Sequence, residues 1–188
     1  MTQRALIAVA DGVEDIETIT LIDVLRRAEV EVVVASIENR RMFTCARGTR
    51  VTADTMLVDV LAQDFDLIVL PGGMPGAQHL ADHQPLADKV REQAQAGKLF
   101  AAICAAPALA LQGYGVLKQR RMTCYPAFSD RLSGCTFVDQ SVVVDGNCIT
   151  SQGPATAQEF ALTLVEQLVG KAKRKTVADA MLVPAWSS

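Results

Sequence analysis

The sequence predicts a doubly wound α/β domain, on three observations: short runs apolar at almost every residue, segments of helical spacing between them, and turn residues at the junctions. Ala5–Ala10, Glu31–Ser36, Leu67–Leu70, Leu99–Cys104 and Val142–Val144 read as buried strands, with Cys148–Ser151 following after a turn. Strands apolar on both faces belong in a sheet covered on both sides. Glu14–Ala28, Thr55–Leu61, Gln84–Ala96, Ala105–Leu111, Ala155–Val169 and Lys173–Leu182 read as helices, and their alternation with the strands predicts parallel βαβ units. Asp11-Gly12, Pro71-Gly72-Gly73, Gly97, Asp145-Gly146-Asn147 and Gly153-Pro154 supply the turns. No repeat, low-complexity tract or linker breaks the 188 residues, which read as one domain spanning residues 1–188.

The chain is 50% apolar and 21% charged, a balance that excludes a disordered chain and supplies one sizeable core. A formal charge of −3 argues against a protein built to neutralise nucleic-acid phosphates. The five cysteines are odd in number and include no CxxC pair, so neither a disulfide framework nor a thiolate zinc site is expected, and a reducing cytosol is the simplest compartment. Ala5–Ala10 is too short for a signal-peptide core, and the apolar stretch Leu99–Leu111 is broken by Pro107 and falls short of the ~20 residues of a membrane helix.

In such a sheet ligands bind beyond the carboxyl ends of the strands, which selects the loops after Ala10, Leu70 and Ile103. Cys104 stands where a buried strand gives way to a helix whose first turn accommodates Pro107. A thiol there feels the positive end of the helix dipole, which favours the thiolate; the competing reading is an inert cysteine in an alanine-rich core. On a helical wheel Glu17 falls in the middle of the stripe formed by Val13, Thr20, Leu21, Val24 and Ala28. A carboxyl so placed has a raised pKa and can donate or accept a proton, unless it is a core acid satisfied by backbone donors. Glu14 and Asp15 lie off that stripe, as ordinary first-turn acids. The loop Leu70-Pro71-Gly72-Gly73-Met74-Pro75-Gly76 can turn backbone N–H groups toward a ligand, as an oxyanion site requires.

His79 and His83 are spaced as two metal ligands on one helix face would be, but no third ligand is evident and they read as surface residues; no metal or cofactor is expected. Both precede Cys104, so a cysteine with a downstream histidine cannot be assembled. The basic run Lys171–Lys175 reads as a solvated helix face. Ile19 and Ile22 form a second apolar patch on the first helix, to be covered by a partner or by the chain's own C-terminal helix.

With Cys104 in AAICAAP, Glu17 in GVEDIET, the loop LPGGMPGA and the segment TSQGPAT at 150–156, the chain resembles the DJ-1/ThiJ/PfpI superfamily in its DJ-1-like branch, over almost its whole length. The resemblance implies a flavodoxin-like α/β sandwich, a homodimer, and a cysteine on a strained strand-to-helix elbow. It makes Cys104 the oxidisable nucleophile, Glu17 the acid that hydrogen-bonds it, and Gly73 and Ala105 the backbone donors beside the thiol. Arg27 and Arg47 match positions near the dimer interface, and Arg47 is expected to reach toward the neighbouring site. Three residues depart from the pattern. Tyr125, before Pro126, replaces a common histidine and leaves Glu17 to carry the proton transfers, with Tyr125 at most a hydrogen-bond donor. Ala105 stands where protease-like relatives have a histidine, and Gln152 replaces a common arginine.

The function so implied is that of a cofactor-free glyoxalase or deglycase, acting through Cys104 on methylglyoxal, glyoxal and their early adducts with proteins and nucleotides. A rival reading is a redox-sensing stress protein or chaperone switched by oxidation of Cys104. An isonitrile hydratase-like activity ranks below both.

Overall fold

The computed structural model describes residues 2–184, so residue 1 and residues 185–188 of the predicted domain lie outside the described residues. In chain order the first half contains β1 (Arg4–Val9), α1 (Asp15–Arg27), β2 (Glu31–Ser36), β3 (Met42–Thr44), β4 (Arg50–Thr52), β5 (Thr55–Met56), β6 (Leu67–Leu70), α2 (Gly76–Asp82) and α3 (Gln84–Gln95). Then follow β7 (Leu99–Ile103), a π-helical segment Pro107–Leu111, β8 (Arg121–Met122), β9 (Thr136–Phe137), β10 (Val142–Asp145), β11 (Cys148–Ser151), α4 (Ala157–Val169) and α5 (Lys171–Ala180).

Seven strands form the main sheet in the order β10-β11-β7-β6-β1-β2-β5. All neighbours are parallel except the β10–β11 hairpin, closed by the Asp145-Gly146-Asn147 turn. Taken alone, β2-β1-β6-β7-β11 has the 2-1-3-4-5 order of flavodoxin-like sheets. The chain moves outward from β1 in one direction to β2 and in the other to β6 and β7. Right-handed crossovers in opposite directions put their helices on opposite faces. Accordingly α1 packs on α4 and α4 on α5, whereas α2 packs on α3 and on Pro107–Leu111. Every residue of β6 is buried, as its unbroken apolar run requires. The direction reverses between β1 and β6, and a crevice opens beyond their carboxyl ends.

The structure departs from the sequence reading in four places. Thr55–Leu61 is not a helix: Thr55 and Met56 pair with Ala35 and Ser36 at the sheet edge, and Leu57–Asp59 form one 3-10 turn. Pairing with the edge of β2 takes the backbone groups that the first turn of a helix would have needed. The hairpin β3–β4, the pair β8–β9 and the helix α2 are additional elements. The C-terminal helix begins two residues earlier than Lys173, at Lys171. Cys104 lies just past the strand that was expected to include it.

Candidate active site

Cys104 occupies a left-handed backbone position, φ +65, between β7 and the helix that follows. A side chain is strained there and persists only where the surroundings hold it. Here both backbone groups are fastened: Cys104 N–H donates to Ser151 O (3.0 Å) and its carbonyl accepts from Tyr125 N–H (2.8 Å). The elbow turns the thiol out of the sheet, half-buried, with the N–H groups of Gly73 and Ala105 beside it, where they favour the thiolate.

Glu17 rises from the first turns of α1 into the core and is fully buried, as its place on the apolar stripe predicts. Its Oε2 accepts from Gly72 N–H at 2.8 Å. Oε1 is buried with no aligned partner, and the Cys104 thiol is the group coupled to this carboxyl. Gly72 makes the approach possible: a Cβ there would lie 2.5 Å from Cys104 Cβ and 2.8 Å from Glu17 Oε2. Gly73 adopts φ +87 with no room for a side chain against the start of α1, which aims its N–H at the sulfur.

Burial pushes Glu17 up to about 7, against the Gly72 N–H and the thiol, which lower it; the charge of Glu14 raises it further. Burial and then the Glu17 carboxylate push the Cys104 thiol up to about 12, with the Gly73 and Ala105 N–H groups pulling the other way. At the helix end the dipole favours the thiolate, while desolvation and the facing carboxylate oppose it. Between these two values the pair holds one proton. When that proton sits on Glu17, the repulsion disappears and the carboxylic acid faces the thiolate.

A cavity of about 470 Å³ opens over the thiol, lined by Glu14, Arg47, Gly73, Met74, Ala105 and Tyr125, among others. Arg47 arrives on the β3–β4 hairpin, whose loop is tied to the start of α1 by Ala46 N–H to Val13 O (2.8 Å) and Arg47 N–H to Asp15 Oδ2 (2.8 Å). Arg47 thus lines the cavity of its own chain. Glu14 and Asp15, read from sequence as ordinary first-turn acids, are part of the site: one lines it and the other anchors its loop. Tyr125 is 44% exposed at the rim, edge-on to Phe128, and its hydroxyl makes no hydrogen bond among the described residues. Gln152 bonds Asp139 (2.8 Å) and does not line the cavity.

The histidines stand elsewhere. His79 Nδ1 contacts Asp11 O (3.0 Å), and His83 caps α3 by accepting from Leu86 N–H (3.2 Å). No cluster of three or more His, Cys, Asp or Glu suited to a metal ion occurs among the described residues. No helix among them is long and apolar enough to cross a membrane.

Comparison with known proteins matches this geometry to one group. The chain is 45% identical over 183 residues to protein DJ-1 homolog B of Arabidopsis thaliana; the match covers 97% of this chain but 42% of that protein, so the chain spans less than half its relative's length. It is 37% identical over 169 residues, 89% of each chain, to the glutathione-independent glyoxalase DJR-1.2 of Caenorhabditis elegans. The solved structure of oxidized Toxoplasma gondii DJ-1 superposes with a TM-score of 0.95 at 39% identity, covering 97% of this chain and all of the other. The model of the DJ-1/PfpI family matches residues 3–167, which takes in the β1–α1 carboxyl, the glycine loop and the cysteine elbow together: this chain belongs to the DJ-1/PfpI family.

Proposed function

We propose that the protein is a cofactor-independent thiol enzyme that converts methylglyoxal and glyoxal, free or as early adducts on proteins and nucleotides, to hydroxy acids. The observation that carries this reading is a half-buried thiol at the floor of an open cavity, flanked by two backbone donors and backed by an acid with a pKa of about 7. The C. elegans relative named a glyoxalase supports the substrate class.

In the proposed reaction the aldehyde carbon of methylglyoxal meets Sγ of Cys104 while Glu17 takes the thiol proton. The new carbon–sulfur bond leaves an oxyanion, which the N–H groups of Gly73 and Ala105 can receive. Returning its proton to that oxygen, Glu17 gives a hemithioacetal. It then removes the hydrogen on the same carbon and delivers a proton to the neighbouring one, which converts the adduct to a lactoyl thioester. Water releases lactate and regenerates the thiol. The test is methylglyoxal loss and lactate formation by wild type, Cys104→Ser and Glu17→Gln. Both variants are expected to lose at least about a hundredfold in rate. Equal activity in all three overturns the reading.

A redox-sensing role is favoured by one further observation. Cys45, Cys124 and Cys148 are buried, whereas Cys104 is half-buried beneath an open cavity with donors ready for a sulfinate oxygen. A homodimer through α1 is part of the same proposal. Ile22 packs on the core, but Ile16 and Ile19 remain 56% and 43% exposed, so the C-terminal helices leave that patch open. Free cysteines throughout suit a reducing compartment such as the cytosol.

A further inference from the structure

Glu14 has no structural employment that accounts for its burial. Its side chain is only 10% exposed. It stands at the N-cap of α1 yet makes no capping hydrogen bond. Neither carboxylate oxygen accepts a hydrogen bond among the described residues, and the nearest cation, Arg47 Nε, is 4.0 Å away on a side chain that is 79% exposed. The side chain is largely covered, and its carboxylate is free to accept from the cavity side. Glu14 lines the cavity above Cys104, so the donor that fits is a molecule in that cavity.

Its position complements that of Glu17. Glu17 is fully buried, coupled to the sulfur and absent from the cavity lining, whereas Glu14 lines the cavity itself. The two are held at one spacing, because Glu14 N–H donates to Gly72 O (2.9 Å) while Gly72 N–H donates to Glu17 (2.8 Å). Glu17 can serve the sulfur and the carbon bonded to it. The last step of the proposed reaction needs a base for a water molecule, which must come from the cavity side.

We infer that Glu14 is a second catalytic residue, the general base for the water that releases the product from Cys104; the inference rests on the glyoxalase reading above. Water attacks the thioester carbon and passes one proton to Glu14. A carbon–oxygen bond forms, the carbon–sulfur bond breaks, and Glu14 returns the proton to the departing thiolate. The acid so formed loses its remaining proton to solvent, and nothing is oxidised or reduced.

The experiment supplies methylglyoxal to wild type, Glu14→Gln and Glu14→Asp, and reads lactate formation together with the intact mass of acid-quenched protein. Glu14→Gln is expected to turn over about a hundredfold more slowly while one substrate mass persists on Cys104. Hydroxylamine, which attacks a thioester without a base and is added after unreacted methylglyoxal is removed, is expected to release that mass as the hydroxamate and return the free thiol. Glu14→Asp keeps the carboxylate and is expected to deacylate at an intermediate rate. Wild-type turnover in Glu14→Gln, or slow turnover with no hydroxylamine-released adduct, overturns the inference alone. Absence of lactate from the wild type overturns the glyoxalase reading and this inference with it.

Discussion

Glu17 is fastened to Gly72 by a single hydrogen bond, from the Gly72 N–H to Oε2 at 2.8 Å, which leaves Oε1 without an aligned partner in a fully buried setting. That asymmetry organises the site. One oxygen fixes the carboxyl on the loop after β6, and the other remains to exchange a proton with Cys104.

Stability is expected to carry the signature of this acid. Folding raises Glu17 from its ordinary 4.5 to about 7, so the neutral acid's contribution is fully present below 4.5 and is lost as pH rises through 7. Glu17→Gln does not titrate. Urea unfolding should therefore show the variant gaining on wild type between those pH values, by up to about 3 kcal/mol. Parallel stability curves would mean that the carboxyl is not desolvated.

Gly72→Ala places a methyl group against Cys104 Cβ, Glu17 Oε2 and the Ile103 carbonyl at once, at 2.5 to 2.8 Å. Two of these are held by the sheet and its elbow, so the pair must separate. Expected are a loss of about 2 kcal/mol of stability and loss of the coupling between the two groups, read by thermal unfolding and by thiol titration. Unchanged titration would show that the contact is not what sets the pair.

Graded peroxide followed by peptide mass analysis should place the first oxygen atoms on Cys104. Cys104 lies under the open cavity beside two backbone donors, whereas Cys135 is hydrogen-bonded to Gln112 Oε1 and the remaining three cysteines are buried. Oxidation of Cys135 ahead of Cys104 would remove the basis for a sensor.

Ile19→Glu puts a charge in the exposed apolar patch of α1. Wild type is expected to sediment at twice the chain mass and the variant as a monomer. A monomeric wild type would overturn the dimer.

What was legible in the sequence divides along physical lines. β1, β6 and β7 were readable because strands covered on both faces are apolar throughout, and the burial of Glu17 because it falls inside a 3.6-residue apolar stripe. Cys104 was readable from the strand-to-helix junction, although Ile103 is the last strand residue. The β3–β4 hairpin left little trace, since its two three-residue strands pair only with each other and are largely exposed. With it went the placement of Arg47 and the work of Asp15. Glu14 looked like a first-turn acid because one-dimensional spacing does not say which loop will close over a side chain. The desolvation of Cys104 and the carboxylate opposite it were not legible, because both depend on the packing of α1 against the loop after β6.

The claim at the centre is that Cys104 and Glu17 titrate as one unit. The most direct measurement is the alkylation rate of Cys104 against pH, in wild type and in Glu17→Gln. Wild type should show a first rise near 7, where Glu17 loses its proton and the pair comes to share a single one, and a second rise far above the ordinary thiol range. The glutamine variant should lack the first rise and titrate in one step at lower pH than the wild type's second. A single ordinary step near ~8.5 in both proteins would contradict the account.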